Sequence, residues 1–426
     1  MGEEDQVFLL RKHLGVGEMR ASPLLRLREI LNTLFVARGQ AIDAVLAGLV
    51  SGEPTILIGP PGTAKTKLVE VMASAINARY FYYLLTKFTE PDELLGPLDI
   101  RALREGRYVR ITKGRLPEAE IVFLDEVFKA SSAIRNVLLD IMLNKRYFNG
   151  GDYRKLPMVA MYSASNEVSY DVEDAAFYDR FVIRAFLDYV PSHEVADLIM
   201  KGVKLEFVRG FKNPLMTVDD VRKLQQVVMQ KLTREFSKEM IGRYVDALDI
   251  LESLGVKVSD RRKVKVLKVA AAISLLYGGR VMLDDIADAL LLVAPSNPDD
   301  VTKVKEAVVR AKLSEVAEVV KALETLRTEV ERACERAMAK LSEGSGEVFT
   351  EVRKIKQLME TAKGIKERYR ESLTNPRVTE VYRELKKTLQ RAYDVLEKVR
   401  KEITAEVDVG EEERSEGDKE VSPFLQ

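Results

Sequence analysis

A single cysteine, Cys334, stands in 426 residues, which excludes an internal disulfide framework and any cysteine-based metal site. Histidine is almost as scarce. His13 and His193 lie far apart with no ligand spacing and read as ordinary surface residues. No uninterrupted apolar run is long enough to cross a membrane, and no N-terminal signal pattern is present. Net charge is missing too: Lys+Arg and Asp+Glu stand at 67 each, which weighs against nucleic acid as the main partner. These absences together give the expectation of a soluble, cytoplasmic protein.

Apolar residues make up 46% of the chain, enough at this length to fill the cores of two or three domains. The charge balance is uneven along it. Residues 406–426 carry eight acids against two bases, a composition expected to stay disordered, and residues 1–405 carry the compensating positive charge.

Between residues 24 and 52 apolar residues recur at helical spacing (Leu25, Leu27, Ile30, Leu31 and Leu34, then Ile42, Val45, Leu46 and Leu49) with a break at Gly39. Beyond them short apolar runs alternate with helical patterns. Candidate strands cover 55–58, 79–84, 121–125, 159–163 and 182–187, an order that implies a parallel sheet with helices on both faces. Segments 97–108 and 146–156 interrupt it, and Asn149-Gly150 in the second predicts a β-hairpin. From Pro191 the strand signal ends. Helical patterns over 218–232, 236–254, 260–277 and 283–293 follow, the third stopped by Gly278-Gly279. The organisation expected is an N-terminal segment 1–23, an α/β domain 24–190 and a helical domain 191–298.

Residues 299–405 differ from both. Val316, Val319, Leu323, Leu326, Val330, Ala333, Ala337 and Leu341 step by three and four, as a coiled-coil seam does. Breaks at Gly344-Ser345-Gly346 and Asn375-Pro376 divide the region into three runs, the first about 60 Å long at 1.5 Å per residue. An antiparallel helical bundle with the seam as its internal core is expected.

The chemistry is carried by Gly59-Pro60-Pro61-Gly62-Thr63-Ala64-Lys65-Thr66, which follows the apolar run 55–58 and opens a helical pattern. Strand, Gly/Pro-rich loop, Lys-Thr and helix form a phosphate cradle. Backbone N–H groups and the helix N-terminus face the phosphate chain. Lys65 reaches the β/γ-phosphates, and the Thr66 hydroxyl holds Mg²⁺. Ala64 replaces the usual glycine, a mild change where φ stays negative.

The third strand ends in Asp125-Glu126, at the C-terminal edge where parallel sheets bind ligands. Asp125 suits Mg²⁺ and Glu126 suits proton abstraction from the attacking water. The fourth strand leads to Asn166, whose neutral amide can orient that water.

These features resemble the AAA+ ATPases and, within them, the MoxR family, most closely its RavA-like branch. The residues that carry the likeness are GPPGTAKT (59–66), ELLGPLDIRAL (93–103), GRLPEAEIVFLDEVFKA (114–130), SASNE (163–167), YDRFVIR (178–184) and VSDRR (258–262). It covers roughly residues 24–293. The resemblance implies a P-loop parallel-sheet domain followed by a helical lid, with ATP and Mg²⁺ as ligands. It implies an arginine finger acting on the neighbouring subunit, best matched by Arg180 with Arg184 as the fallback. A second sensor on the lid matches Arg261, with Arg262 its rival and Asp260 fitting an N-cap. It also implies a ring, by likeness a hexamer, with a von Willebrand factor A-domain partner, and inserts facing the pore or a partner. The function expected is ATP-driven remodelling of client proteins. The rivals are a DNA-translocating motor, which net neutrality disfavours, and a nucleotide-gated scaffold, which would not need Glu126.

Overall fold

The computed structural model describes residues 22–407 except 169–171, 207–210, 212, 278, 315, 344–345, 371–372 and 374–375. Most of the N-terminal segment, the acidic residues from 408 on, Gly278, Gly344, Ser345 and Asn375 therefore lie outside the described residues. The chain divides into two compact units, Met1–Leu313 and Ser314–Gln426.

Seven strands form in the first unit: β1 (Thr55–Ile58), β2 (Tyr80–Leu84), β3 (Ile121–Asp125), β4 (Arg146–Asn149), β5 (Asp152–Lys155), β6 (Ala160–Ser165) and β7 (Ile183–Phe186). Five of them make one sheet in the order β2-β3-β6-β1-β7, and every pairing is parallel. Strands inside such a sheet are covered on both faces, so they are continuous apolar runs. Ile121, Val122, Phe123 and Leu124 of β3 are all fully buried, which stabilises the sheet by about 1.5–3 kcal/mol per side chain. At the edge, β2 instead alternates buried Phe81 with exposed Tyr82 and Leu84. The register sets Ile58 opposite Ser165 and Leu84 opposite Asp125, so the loops after β1, β3 and β6 leave from one edge.

The two interrupting segments meet each other. The β4–β5 hairpin turns through Gly150 and Gly151 at φ +68° and +96°, while Asn149 pairs with Asp152 as the last strand residue. The turn is thus one residue later than the Asn-Gly signal places it. Gly150 N donates to Tyr108 O at 2.7 Å, and Arg110 N donates to Asn149 Oδ1 at 2.8 Å.

The lid contains the four expected helices, as Val218–Arg234, Lys238–Ser253, Asp260–Leu276 and Leu283–Val293. Side-chain caps start three of them: Thr217 with Asp220, Ser237, and Ser259. Asp260 is therefore the first helical residue and not the cap. A further helix, Val195–Glu206, precedes these four and went unforeseen. Pro298–Arg310 packs on the lid, so the unit boundary falls at 313/314 and not at 298/299. Lys312, at φ +50°, breaks the expected 60 Å run, and no glycine or proline marks that break. The helix beyond it, Ala317–Ser342, has 26 residues and spans about 39 Å.

The second unit packs Ala317–Ser342, Val348–Arg368 and Pro376–Val407 around one core. Every seam residue from Val316 to Ala337 is buried there, against Ile355, Met359, Leu385 and Ala392. Leu341, at the end of the seam, is only partly buried. Cys334 sits half-buried beside this core, and burial, helped by Glu331 and Glu335, pushes its thiol up to about 11. Such a thiol is inert and serves packing.

Buried Glu53, just before β1, accepts from Lys265 Nζ at 2.7 Å and Lys268 Nζ at 2.5 Å. Nearby, Lys145 donates to Val159 O at 3.3 Å, an oxygen shared with Gln225 Nε2 at 3.0 Å. Burial, reinforced by Lys268, Lys155 and Lys265 and opposed by Glu53, pushes Lys145 down to about 8. The unfolded chain, with an ordinary lysine value of about 10.4, binds more protons between those values, so this group's penalty is full at pH 7 and fades as pH rises through the window. Lys145→Met is expected to stabilise the protein at pH 7 by about 1–3 kcal/mol, with the gain shrinking towards pH 10.5. Denaturant unfolding at both pH values checks this, and a pH-independent gain would count against it.

Candidate functional site

Gly59 to Thr66 wrap the C-terminal end of β1. Gly59 N donates to Ser165 O at 3.1 Å, pinning the loop to β6. A Cβ on Gly59 would lie 2.3 Å from Leu187 O, so glycine is required here by the backbone after β7. Gly62 takes φ +78°, where glycine costs least. Pro60 O accepts from Thr63 Oγ1 at 2.9 Å, and Thr63 O accepts from Arg38 Nε at 3.1 Å. Pro61 is exposed between them.

Ala64 departs from expectation. It sits at φ +64°, ψ +24°, in the left-handed region that costs an L-residue about 1–2 kcal/mol. The substitution is tolerated at this cost and not because φ stays negative.

Lys65 opens the helix Lys65–Ala75 and is buried. Its Nζ donates to Gly59 O at 2.5 Å, Pro60 O at 3.0 Å and Asn166 Oδ1 at 3.2 Å. Burial lowers its pKa, while Asp125 and Glu126 oppose the shift. Thr66 Oγ1 lies 3.2 Å from Asp125 Oδ2. Asn166 Nδ2 donates to Glu126 Oε1, and the other carboxylate oxygen of Glu126 faces Lys129 Nζ at 3.4 Å. Glu126 itself takes φ +53°, which turns its side chain out of the strand line. Lys65–Asn166–Glu126 and Thr66–Asp125, joined by Glu126 N donating to Asp125 Oδ1 at 3.0 Å, thus meet where the helix 65–75 starts and β3 and β6 end.

The donor set fits magnesium. Among the described residues no cluster of three ligating side chains exists, and a hydroxyl beside one carboxylate is what Mg²⁺ uses when substrate phosphates and water complete its shell. Burial, followed by the nearby Asp125 carboxylate, raises the pKa of Tyr82 on β2.

Sequence reasoning missed a largely apolar cleft beside the loop. Leu34, Phe35, Val36 and Arg38 line it with Gly62, Thr63, Ala64, Tyr189, Val190, Leu198, Lys201, Gly202 and Leu205. The helix 195–206 supplies the last four, and its apolar spacing was the available signal.

The candidate arginines separate clearly. Arg184 is buried, donating to Phe181 O, Tyr178 O, Pro295 O and Ser296 Oγ at 3.0–3.2 Å. Burial pushes it down to about 10. It is fully engaged inside its own chain and unsuited to reach a neighbour. Arg180 is only partly buried and follows the helix Val172–Tyr178. Its Nη1 donates to Ala176 O at 2.5 Å, and among the described residues its Nε has no partner. Arg262 is buried against Val293 O, Ala294 O and Lys257 O. Arg261 is the exposed member of that pair, 3.7 Å from Asp179 Oδ2.

A phosphate loop after the interior strand β1, acids at the end of β3 two strands away, and a helical lid define the P-loop ATPases of the AAA+ class. A model described as the MoxR domain in the MoxR-vWA-beta-propeller ternary systems matches residues 24–226. Two uncharacterized proteins of Methanocaldococcus jannaschii are each 38% identical over 282 residues, covering 66% and 63% of this chain and 74% and 72% of their own. Chaperone MoxR1 of Mycobacterium tuberculosis is 23% identical over 260 residues, 58% of this chain and 67% of its own. The crystal structure of a candidate ATPase from Cytophaga hutchinsonii matches with a TM-score of 0.52 at 17% identity, over 65% of this chain and 88% of that one, a likeness of fold. The chain belongs to the MoxR family of AAA+ ATPases.

Ala64→Gly is expected to stabilise the protein by about 1 kcal/mol, the left-handed cost less the unfolded-chain entropy that glycine adds. Chemical denaturation reads this directly, and an unchanged or lower midpoint would contradict the strain.

Proposed function

We propose that the protein hydrolyses ATP with Mg²⁺ at the interfaces of a homo-oligomeric ring, a hexamer, and uses the resulting motion to remodel or assemble client proteins. The observation that carries this is the hydrogen-bonded group Lys65–Asn166–Glu126 beside Thr66–Asp125. The loop 59–66 binds the phosphates, with the Lys65 ammonium as its cation. Thr66 and Asp125 would hold Mg²⁺, which when bound would supply charge neutralisation for the phosphate chain. Glu126 takes the proton of the attacking water, and Asn166, already bonded to that carboxylate, orients the pair. The cleft beside residues 62–64 suits an apolar base. Arg180 completes the neighbouring subunit's site, and Arg261 is the lid sensor.

The family description supports a von Willebrand factor A-domain protein as partner, and the six ordered motifs support the RavA-like branch. Family membership supports a chaperone-like role. Among the described residues no helix is long and apolar enough to cross a membrane.

Glu126→Gln is expected to bind ATP yet hydrolyse it at least ~10²-fold more slowly, the size of a general-base contribution. Steady-state phosphate release and nucleotide binding measured together check this, and parental turnover would remove Glu126 from the role. Arg180→Ala should bind ATP and lose about 10³–10⁵ in turnover. Mixing it with Lys65→Ala subunits, which keep their finger but cannot hold phosphate, should restore activity. No recovery in rings shown to be mixed would sink the trans role.

A further inference from the structure

The turn that carries Arg180 is fastened to the lid from two sides. Asp179 Oδ1 accepts from Ser259 Oγ at 2.8 Å and from Arg262 Nε at 3.1 Å, and its Oδ2 faces Arg261 at 3.7 Å. Those three residues begin the lid helix Asp260–Leu276. On the other side, the Tyr178 hydroxyl donates to Ser296 O at 2.9 Å. Arg184 lies 3.8 Å over the Tyr178 ring and reaches Pro295 O and Ser296 Oγ. Arg262 closes the frame by donating to Val293 O and Ala294 O. Residues 178 and 179 are thus bonded to both ends of the lid segment 257–296.

Among the described residues Arg180 itself makes no bond to the lid and rides on this turn. Its backbone N donates to Phe177 O at 3.1 Å, and the next residue's N donates to Tyr178 O at 3.1 Å. Within the turn, then, Arg180 has little freedom to move apart from Asp179. A carboxylate accepting from a guanidinium and a hydroxyl at once is a strong, directional tie. It costs much more to break than an exposed ion pair.

We infer that Asp179 is a positioning residue that fixes the reach of Arg180 to the orientation of its own lid, so that a lid shift in one subunit resets the catalytic arginine offered to the next. The inference rests on the ring reading of the function and deepens it. It assigns Asp179 no contact with nucleotide. Its effect falls on the site of the adjacent subunit and not on its own.

The test is Asp179→Asn, which keeps the size and loses the charge. Expected are an unchanged KM for ATP and a kcat lowered about 10²-fold, the scale of a misplaced catalytic group. Asp179→Glu should recover part of the loss, and cooperativity in ATP should fall towards a Hill coefficient of one. Mixing Asp179→Asn subunits with Lys65→Ala subunits should raise turnover, because the latter lend a well-placed Arg180 to intact sites. A purely structural lesion would not be rescued in this way. Normal kcat in Asp179→Asn, or no rescue in mixed rings, overturns the inference. Arg180→Ala mixed in parallel separates the cases. If Arg180→Ala is rescued and Asp179→Asn is not, the tether alone fails; if neither is rescued, the trans finger itself fails.

Discussion

The site depends on β1 lying between β6 and β7, with β3 on the far side of β6. That order follows from burial: β1, β6 and all of β3 but Asp125 are buried, Thr55, Ser163 and Ser165 included, as strands inside a sheet covered by helices on either side are. Parallel pairing then sends the loops after all three to the same edge. The hydrogen bond from Gly59 N to Ser165 O and the contact of Lys65 with Asn166 are consequences of that order. A chain that paired β1 with β2 instead would leave the phosphate loop without its acids.

Electrostatics act within this frame. Lys65 is a buried cation whose charge is opposed by desolvation and supported by Asp125 and Glu126. Those carboxylates sit close because Asp125 ends β3 beside Thr66 and Glu126 is held by Asn166, with Glu126 in a left-handed backbone. Two of the six non-glycine residues at positive φ among the described residues, Ala64 and Glu126, stand here, and strain at a functional site is held by the packing around it.

Much of this was legible beforehand. The strands could be read to within a residue or two because apolar runs of four to six residues bounded by turn signals have few other solutions. Lys65, Thr66, Asp125, Glu126 and Asn166 could be listed from spacing, and the structure brings them together. The left-handed φ of Ala64 could not, since nothing in the side chain announces it. The break at Lys312 was invisible for the same reason: it lies just before the seam opens at Val316, and no glycine or proline marks it. The helix 195–206 was missed although Val195, Leu198, Ile199 and Leu205 recur at helical spacing. Choosing between Arg180 and Arg184, or Arg261 and Arg262, required knowing which guanidinium is buried, a tertiary fact that adjacent positions in a sequence do not carry.

The junction of the two interrupting segments has a mechanical consequence. Tyr108 and Gly150 belong to chain stretches that flank β3, one entering it and the other leaving by way of the helix Ser132–Asn144. Force applied at the hairpin tip is therefore shared between both flanks and converges on the strand that presents Asp125 and Glu126. A pull on that tip has a load path of covalent chain and two hydrogen bonds to Asp125 and Glu126, and strain there would change where those two carboxylates stand.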